Sequence, residues 1–579
     1  MFKTSPEGDG EFHRLCHRAK TFPDTLPAFS GHELAVFTQG RVKPLPLHNE
    51  RGVVLGEMFT AGPIRVPVPY VDANMSDRIV ASRGSWLIGA AWGRYLLCLM
   101  SEDGRTLTLM RDPSGGLDCY YWRRDGLIII TSSPEMASDI TGIPAGPDWT
   151  AIATQLIYSN PKAIETGLLG VRELLPGTRL DLTATTETLS TVWTPWTFAD
   201  TSNQIRSPSE AVKVLDQTLS STLRAWAQIA DHALVELSGG LDSSIIAAGL
   251  SSGPAQLSCL NLRTETPDAD ESDYATELAE AFLLPLTVAT LAPALTLNIP
   301  RRRTFRPSLD VLQQATNAQF RQAAKTLHVD SIFTGAGGDG VFCFLKNAAP
   351  VTDALLSYGP GPDVLKALND LTQLHQCTLW TAASLALRKL VSPAKSLSRV
   401  DLTFLTPEMA AVPTPVHPWS DTGSHRTLPG KAEHVLSLIA AQRFRDNFSR
   451  DDIAPVIAPL LSQPVMEACL RIPTWMWIDG GRNRSCARDA FQNRLPPRVL
   501  ARRSKGNFMI VYTDAYHRHR EALHDLLTGG ALARQGVVDT KAISGFMSQP
   551  LRLHDNRFLK LFELAKIEGW LASWTDPPY

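Results

Sequence analysis

Short apolar runs separated by turn residues fill the chain from Val53 to about Thr131. Runs of this kind are typical of β-strands, and the segments 102–104 and 124–126, which both end in Asp-Gly, are typical of hairpin turns. We predict strands at 85–89, 95–99, 106–109 and 127–130. The pattern therefore indicates a strand-rich, antiparallel N-terminal half.

Strand-like and helix-like patterns alternate in the second half of the chain. Ser207 and Pro208 form a helix start, and the apolar residues behind them recur at helical spacing: Val212, Leu215, Leu219, Leu223, Trp226 and Ile229. Further strands are predicted at 233–237, 257–262, 286–291 and 330–334, and helices at 273–282, at 309–327 and over most of the chain from Val351. Strands that alternate with helices imply right-handed crossovers and a parallel sheet. The predicted fold class is α/β, with an α+β N-terminal half.

The length of the chain, 579 residues, is too great for one hydrophobic core, so two or more domains are expected. The composition changes at 200–203, which we interpret as a linker between a domain at 1–200 and a domain at 207–579. Residues 1 to about 30 are polar and mixed in charge. We expect them to form a poorly ordered lead-in.

Composition and charge are those of an ordinary soluble globular protein, with 44% hydrophobic and 20% charged residues. The 56 basic and 58 acidic residues nearly balance, which gives no support for a nucleic acid partner. Eight cysteines are scattered without a C-x-x-C pair, so neither a zinc ribbon nor a disulfide framework is indicated. Neither a secretion signal nor an apolar run of membrane-spanning length is apparent, so we expect a cytoplasmic protein without a membrane partner.

The segment 238–244, Ser-Gly-Gly-Leu-Asp-Ser-Ser, follows a predicted buried strand and begins an apolar helix. Its glycines let the backbone approach a ligand, and its hydroxyls and the free amides of the helix start offer donors to an anion. Asp242 supplies a carboxylate of the kind that magnesium held against phosphate requires. An ordinary glycine turn is the alternative, but so dense a set of such residues favours phosphate. The segment resembles the pyrophosphate loop of the ATP pyrophosphatases. That resemblance implies that ATP and pyrophosphate are bound by Ser238, Gly239, Gly240, Leu241, Asp242, Ser243 and Ser244.

A second glycine loop with an aspartate, 334–340, follows the strand predicted at 330–334. In open α/β sheets, ligands bind beyond the carboxyl ends of the strands. Asp242 and Asp339 are therefore expected to face one another across a nucleotide and to share a magnesium ion. A plain turn is again the alternative, but two such loops in one sheet favour a shared site.

With both loops in place, the chain resembles the asparagine synthetase family over nearly its whole length. The segments 111–121 and 171–178 resemble parts of the glutamine-amidotransferase domain of that family, although each taken alone reads more simply as a turn. More specifically, the chain is similar to the lasso-peptide macrolactam synthetases. That similarity is carried by the segments 459–470, 480–484, 487–488 and 502–506.

The resemblance implies an N-terminal Ntn-amidotransferase-like β domain followed by an ATP-pyrophosphatase-type synthetase domain with a helical C-terminal part. It implies ATP and Mg²⁺, with Asp242 and Asp339 as metal ligands and Leu237 and Gly335 lining the nucleoside pocket. Lys505 corresponds to a lysine that stabilises charge in both chemical steps. The substrate contacts that we hypothesise are Arg482, Arg484 and Arg488.

The implied reaction is adenylation of an Asp or Glu side chain of a ribosomal precursor peptide, followed by attack of the peptide's N-terminal amine. A leader peptidase is the expected partner. The base that takes the amine proton cannot be assigned to a Tyr or Glu from the sequence.

Two departures from the family pattern weigh against ordinary asparagine synthesis. Glutamine-using members carry a nucleophilic cysteine as residue 2, whereas this chain has Phe2, and the nearest cysteine is Cys16. In the second loop, Gly340 stands where an acidic residue is expected, and Ala336 replaces another family residue. We therefore expect the amidotransferase half to be a catalytically inactive, retained scaffold.

Two rival functions stay open at this point. One is an ammonia-dependent asparagine synthetase or a β-lactam-synthetase-like ligase, which would use the same adenylation on a small substrate. The other is a non-catalytic scaffold of a biosynthetic complex, against which the intact loops argue. The basic run 301–303 is interpreted as a solvated face rather than a phosphate site.

Overall fold

The structure is a computed structural model that describes residues 1–142, 146–158, 161–264, 270–291, 303–307, 311–391, 400–423, 425, 427–445, 453–502, 509–552 and 554–575. Its N-terminal half is built on antiparallel strands, as the alternation of apolar runs and turns predicts. These strands are β1 (Phe2–Lys3), β2 (Thr25–Ser30), β3 (Ala35–Gln39), β4 (Pro44–Pro46), β5 (Gly52–Thr60), β6 (Ala91–Met100), β7 (Leu107–Arg111), β8 (Tyr120–Arg124), β9 (Leu127–Thr131), β10 (Arg172–Glu173), β11 (Thr178–Leu182) and β12 (Glu187–Thr191). The hairpins β6–β7 and β8–β9 close at the two predicted Asp-Gly turns.

Two antiparallel sheets form the centre of this half, one in the order β1-β9-β8-β10 and one in the order β12-β11-β7-β6-β5-β4. A hydrophobic cluster draws residues from both sheets, for example Ile128 from β9 and Leu109 from β7, so the sheets pack face to face. Helices cover the outer faces. They are α1 (Asp9–Thr21), α2 (Ala73–Ala81), α3 (Leu87–Ala90), α4 (Pro134–Thr141), α5 (Trp149–Ile157) and α6 (Trp196–Ala199).

The first 30 residues are ordered, so the expectation of a loose lead-in is wrong. Phe2 in β1 is 1% exposed and pairs with Ile128 at the edge of the four-stranded sheet. In α1, Phe12, Leu15 and Ala19 recur at helical spacing and enter the core, while the rest of the helix is polar and faces outward. A narrow apolar stripe is therefore enough to order this segment.

The strand predicted at 85–89 is also wrong, because this run forms the short helix α3. The run directly precedes the ten-residue strand β6, every residue of which is buried. Leu87 is fully buried under that strand, and the partly buried Trp86 and Ile88 pack against the same cluster, so packing on one face of a helical turn accounts for the apolar character of the run. A run of this length does not distinguish a strand from one turn of helix.

A five-stranded parallel sheet forms the centre of the second half, as the βα alternation predicts. Its strands are β13 (His232–Glu236), β14 (Gln256–Arg263), β15 (Leu286–Thr290), β16 (Ser331–Phe333) and β17 (Val456–Ile457), in the order β15-β14-β13-β16-β17. The direction of progression reverses between β13 and β16. That reversal is the topological switch point at which open α/β sheets bind their ligands.

Helices surround this sheet and continue beyond it. They are α7 (Pro208–Ala227), α8 (Leu241–Leu250), α9 (Ser272–Ala281), α10 (Val311–Leu327), α11 (Gly338–Val341), α12 (Ala349–Tyr358), α13 (Pro362–His375), α14 (Leu379–Val391), α15 (Pro429–Phe444), α16 (Gln463–Arg471), α17 (Ser485–Ala490), α18 (Pro497–Ala501), α19 (Met509–Gly529), α20 (Ala531–Arg534), α21 (Thr540–Met547) and α22 (Phe558–Thr575). A short antiparallel pair, β18 (Ile478–Asp479) and β19 (Arg482–Asn483), precedes α17. The start of α7 is as predicted, since Ser207 Oγ accepts a hydrogen bond from the backbone N–H of Glu210.

The two halves share hydrophobic cores. One cluster joins α1, α4 and α5 to α19 and α22, and another joins Phe59 and Trp92 to the helices around the parallel sheet. In the second cluster the rings of Phe59 and Trp92 stack at 4.5 Å, and Trp226 of α7 meets Phe59 edge-on at 4.8 Å. Residues 201–203, within the predicted linker, form one turn of 3₁₀-helix. The division into domains at 200–207 stays a prediction.

Charged groups also join the halves, at a buried carboxylate. Glu173 is 1% exposed and lies 2.8 Å from Arg111, 2.7 Å from Lys162 and 2.7 Å from Arg306. Burial alone would raise the pKa of Glu173, but the three cations outweigh it and hold the pKa well below its usual range. Arg306 follows the parallel strand β15 in the chain, so this cluster binds the second half to the first.

The loop 112–119, which contains most of a segment with family resemblance, also joins the halves. Arg445, at the end of α15, donates to the backbone carbonyls of Ser114 and Gly116 at 3.0 and 2.9 Å. The backbone N–H of Gln463 donates to Ser114 Oγ at 3.1 Å. The sequence predicts a turn in this segment, and the turn contributes contacts between the two halves.

Among the residues that the structure describes, no helix is both long enough and apolar enough to cross a membrane. The eight cysteines all lie in described parts of the chain, and all are free thiols.

The buried histidine His434 predicts a pH-dependent contribution to stability. Burial lowers its pKa to about 3, against 6.5 for an exposed histidine. Below pH 6.5 the unfolded chain binds a proton that the folded chain does not, so this histidine costs stability as the pH falls from 6.5 towards 3. The slope is about 1.4 kcal/mol per pH unit. His434→Gln is expected to be less stable than wild type at pH 7.5, with the gap narrowing at that slope below pH 6.

Urea unfolding of both proteins between pH 7.5 and 4.5 measures this effect. His13→Gln is a suitable control, because His13 is an exposed histidine on α1. A constant gap between wild type and His434→Gln across the pH range would contradict the prediction.

Candidate nucleotide site

The first glycine loop connects β13 to α8 at the switch point of the parallel sheet. Gly239 has φ +68°, and a Cβ atom there would lie 2.6 Å from Tyr274 Cβ and 2.9 Å from the backbone nitrogen of Ala275. Only glycine fits both the left-handed backbone and this close approach to α9. The helix α8 begins after Gly240, which has no side chain to cap it. Helix starts of this kind present backbone amides to anions.

The serines of this loop divide into one exposed residue and two buried ones. Ser243 and Ser244 are 4% and 0% exposed. Ser243 Oγ accepts from the backbone N–H of Ser238 at 3.2 Å, and Ser244 Oγ donates to the carbonyl of Gly240 at 2.8 Å. These two hydroxyls brace the loop, whereas Ser238 is exposed at its tip.

The residue before the loop is held from the neighbouring strand. Leu237 is fully buried, and its carbonyl accepts a hydrogen bond at 2.8 Å from Nδ2 of Asn261 on β14. Asn261 is itself 1% exposed. Sequence reasoning missed this residue, because an asparagine inside an apolar strand carries no signal until the strand order is known.

The second glycine loop follows β16, the other strand at the switch point, and packs directly on the first. A Cβ atom at Gly338 would lie 2.4 Å from Asp242 Cγ, and one at Gly335 would lie 3.0 Å from the backbone nitrogen of Ser243. Gly337 has φ +85°, a left-handed conformation that favours glycine. The glycines of this loop therefore let it close on Asp242.

Asp242 and Asp339, the two aspartates predicted to meet, lie around one point. Arg484 Nη1 is 2.7 Å from Asp339 Oδ1 and 3.0 and 3.2 Å from the two carboxylate oxygens of Asp242. The side chain of Asp339 is 44% exposed and that of Asp242 13%, so solvent reaches the pair from the side of Asp339.

These carboxylates suit a magnesium ion. Mg²⁺ prefers oxygen ligands, and in nucleotide enzymes it takes one or two carboxylates and fills its other positions with phosphate oxygens and water. Among the described residues, no group of three or more His, Cys, Asp or Glu side chains could hold a metal ion. A pair of aspartates beside a glycine loop is compatible with a magnesium ion that arrives with a nucleotide, and their role as metal ligands stays a prediction.

A cleft of about 330 Å³ adjoins the two loops, and none of its described lining residues is acidic. One wall includes Arg502, whose Nη1 donates to the carbonyl of Gly239 at 3.1 Å. Another wall includes Phe344, whose ring lies 5.1 Å from the guanidinium of Arg484. The cleft therefore contacts the first loop through Arg502. It contacts the second loop through Phe344, whose backbone N–H donates to the carbonyl of Asp339 at 2.9 Å. The cationic lining of the cleft suits an anionic group.

The three arginines proposed as substrate contacts differ in the groups to which their N–H groups donate. Arg484 donates to the carboxylates of Asp242 and Asp339. Arg488 is 4% exposed and donates to the backbone carbonyls of Asn483 at 2.9 Å, of Arg502 at 2.9 Å and of Leu500, so it braces the walls of the cleft. Arg482 lines the cleft and pairs with Asp489 at 3.0 Å.

Lys346 is a cleft residue that sequence reasoning missed. It is exposed, and its ammonium lies 5.2 Å from the ring of Phe344. It follows α11 by only a few residues, so the same short segment provides both Asp339 and this cation. No local motif marks it, because a lysine in a polar segment is ordinarily a solvated charge.

Two further predictions are that Lys505 is a site residue and that 301–303 is a solvated face. Lys505 lies outside the described residues, as do Arg301 and Arg302. Arg303 is described, and it donates to Ser138 Oγ at 2.9 Å and lies 5.8 Å from the ring of Trp574. This arginine therefore packs between the two halves, which departs from the interpretation of 301–303 as a solvated face.

The thiols of the N-terminal half are poorly suited to nucleophilic attack. Burial raises the pKa of Cys98 to about 12 and raises the pKa values of Cys119 and Cys16 above the usual range. A thiol reacts as its thiolate, so none of the three is a ready nucleophile near neutral pH. The expectation of an inactive amidotransferase half stays a prediction.

Comparisons with known proteins add the family. The model of the asparagine synthase family matches residues 215–572, which include both glycine loops, the cleft and Arg484. A comparison with curated protein sequences finds no match.

Among solved structures, the chain is similar to one described as the allosteric regulatory enzyme of purine biosynthesis, at 12% identity and a TM-score of 0.17 over 44% of this chain and 63% of that one. It is also similar to glutamine phosphoribosylpyrophosphate amidotransferase from B. subtilis complexed with ADP and GMP, at 13% identity and a TM-score of 0.14 over 52% of this chain and 59% of that one. The chain thus spans less than two thirds of the length of either protein, and TM-scores this low establish no common overall structure. The family match extends over more than half of the chain. The chain therefore belongs to the asparagine synthase family, a family of ATP-dependent, amide-forming ligases.

Proposed function

We propose that this protein is a peptide macrolactam synthetase: it adenylates an Asp or Glu side chain of a ribosomal precursor peptide and closes an isopeptide ring with the peptide's N-terminal amine. The observation that carries the ligase chemistry is the convergence of Asp242 and Asp339 at the switch point, beside the start of α8 and a cleft whose described lining residues are not acidic. The finer assignment to peptides rests on the sequence resemblance and on an exposed apolar stripe of α14, a helix that begins three residues after a cleft residue.

In the first step, an oxygen of the substrate carboxylate attacks the α-phosphorus of ATP. The bond from that phosphorus to the bridging oxygen breaks, so an acyl adenylate forms and pyrophosphate leaves. The loop amides at the start of α8 and the hydroxyl of Ser238 bind the departing phosphates. Magnesium, held by Asp242 and Asp339, neutralises phosphate charge when it is bound.

In the second step, the amine attacks the acyl carbon, the bond from that carbon to the AMP oxygen breaks, and the amine loses a proton. The chain's contribution is to hold the acyl group and the amine together and to keep water away, since an acyl adenylate also reacts with water. The cleft beside Arg502 and Phe344 is the place for the carboxylate-bearing segment. Lys346 and Arg482 lie in its lining and attract the carboxylate before it is activated.

A peptide substrate is favoured over free aspartate by the surface of α14. Trp380, Leu387 and Val391, which are 86%, 57% and 81% exposed, fall on one stripe of this helix, while its buried face carries the small residues Ala382 and Ala386. The large apolar side chains therefore face solvent, the reverse of an ordinary surface helix. The helix begins three residues after Gln376, which lines the cleft. Free aspartate has no apolar side chain that would pack on such a surface, whereas the apolar residues of a peptide pack on it.

Trp380→Ser tests this surface. We expect the KM for the peptide to rise about tenfold, because a buried Trp contact at an interface is typically worth more than 1 kcal/mol, while the KM for ATP stays the same. Steady-state release of AMP measures both values. Leu283→Ser is the matched control, since Leu283 is 91% exposed at the end of α9 and does not belong to the stripe. An unchanged peptide KM would remove the surface from the proposal.

The reaction itself is tested by mixing the purified protein with a candidate precursor peptide, a candidate leader peptidase, ATP and Mg²⁺. We expect loss of one water from the peptide by mass spectrometry, with AMP and pyrophosphate as co-products. We propose that the peptidase acts with this protein in the cytoplasm, and leaving it out tests whether it is needed. Formation of asparagine from aspartate, ammonia and ATP would favour the rival amide ligase. Absence of AMP in both mixtures would favour a scaffold.

A further inference from the structure

The positive charge that joins the two glycine loops belongs to the protein itself. Arg484 Nη1 lies within 3.2 Å of three carboxylate oxygens, two from Asp242 and one from Asp339. A single cationic nitrogen therefore occupies the point on which the predicted metal ligands converge. Charge-assisted contacts of this kind are about twice as strong as neutral hydrogen bonds.

Arg484 is held in this position from several sides. Its side chain is 6% exposed, and its guanidinium lies 5.1 Å from the ring of Phe344. Its backbone is left-handed, with φ +52°, at the residue before α17. That conformation is unfavourable for a non-glycine residue, so the surrounding packing enforces the placement.

A divalent cation would need the same space. Mg²⁺ binds oxygen ligands at about 2.0–2.1 Å, so an ion that contacts both carboxylates has to lie between them. The guanidinium nitrogen also lies between them, and two like charges at such a distance repel strongly at a site that is partly buried. The metal and Arg484 therefore compete for Asp242 and Asp339.

We infer that Arg484 is the counter-ion of the two carboxylates in the nucleotide-free protein and that a divalent cation has to displace it. The inference rests on the proposed function in one respect, namely that these aspartates form the metal site. Displacement leaves the guanidinium next to the phosphates that arrive with the metal. Nucleotide binding therefore compensates the contact that the arginine gives up, and metal and nucleotide bind with positive coupling.

The test uses Mn²⁺ alone as the probe and the full-length, nucleotide-free protein, with free Mn²⁺ measured by electron paramagnetic resonance. Arg484→Gln is expected to bind Mn²⁺ at least about tenfold more tightly than wild type, because it removes the competing charge. The double variant Arg484→Gln/Asp242→Asn is expected to lose the gained affinity. A general structural defect would weaken metal binding, so a gain in affinity distinguishes competition from damage.

Arg494→Gln is the matched control. Arg494 also pairs with a carboxylate, that of Asp216, and lies over a phenylalanine ring, 3.8 Å from the centre of Phe491, but it contacts neither glycine loop. Its Mn²⁺ affinity is expected to equal that of wild type. A gain in Arg494→Gln as large as that in Arg484→Gln would overturn the inference, because it would reflect net charge alone.

Two further outcomes would overturn the inference: unchanged or weaker Mn²⁺ binding by folded Arg484→Gln, and a gain that persists in the double variant. If Arg484→Gln does not fold, Phe344→Leu replaces it, since loss of the ring contact loosens the guanidinium and is expected to raise Mn²⁺ affinity about threefold. No change in that variant would then decide against the inference. The Mn²⁺ experiment contains no substrate. A failure of peptide cyclisation would therefore remove the proposed function without affecting the Mn²⁺ result.

Discussion

Asp339→Asn is expected to lower ATP-dependent turnover by roughly 10³-fold while the protein stays folded. Asp339 is half-exposed at the tip of the second loop, so its loss creates no cavity. It does remove one of the two carboxylates that converge at the switch point, and a carboxamide binds Mg²⁺ far less well than a carboxylate does. Release of AMP at saturating peptide and a range of Mg²⁺ concentrations measures the effect, and part of the loss should return at high Mg²⁺.

Asp479→Asn is the control for this variant. Asp479 also pairs with an arginine, Arg482, at 3.5 Å, and with Lys366 at 2.6 Å, but it lies on β18 rather than on a glycine loop. Its turnover is expected to stay within about twofold of wild type, since exposed ion pairs contribute little. If Asp339→Asn kept a tenth or more of wild-type turnover, the assignment of Asp339 as a metal ligand would be wrong.

Gly338→Ala is expected to lower turnover by roughly 10²-fold and stability by about 1–3 kcal/mol. The new methyl group would lie 2.4 Å from Asp242 Cγ, well inside van der Waals contact, so either the loop or the carboxylate has to move. Either shift separates Asp242 from Asp339. Thermal unfolding and AMP release from the same preparation measure the two effects.

Gly545→Ala is the matched control, because Gly545 lies inside the helix α21 and a Cβ atom there meets nothing within 4 Å. A glycine-to-alanine change in an open helical position usually stabilises slightly. Wild-type turnover in Gly338→Ala would show that the loops tolerate a wider spacing than their packing indicates.

The parallel sheet could be predicted from the sequence because several local signals agree. The strand predicted at 233–237 is observed at His232–Glu236, and the helix predicted at 273–282 is observed at Ser272–Ala281. Buried parallel strands are continuous apolar runs, and the glycine loops mark where each ends. These same local signals predict that Asp242 and Asp339 lie at neighbouring strand ends.

The errors in the N-terminal half have a different cause. In α1 only Phe12, Leu15 and Ala19 are buried, so the sequence looks polar although the helix is anchored. At 85–89 the apolar run is one turn of helix against a buried strand. In both places packing against distant residues decides the structure, and a local pattern does not contain that information.

The cleft could be predicted only in part. Arg482, Arg488 and Arg502 line it and lie in family-like segments of the sequence. Phe344 and Gln376 also line it, but no motif marks either residue. Arg488 lies in a family-like segment, which predicts a substrate contact. In the structure its guanidinium instead donates to the backbone carbonyls of Asn483 and Arg502. Residue type and spacing predict the two glycine loops, whereas the walls of the cleft depend on the tertiary fold.

The core shared by α1, α4 and α5 with α19 and α22 means that neither half keeps its apolar covering when the other is cut away. Removal of the first 200 residues would expose the buried faces of α19 and α22 to water, so residues 207–579 expressed alone are expected to aggregate.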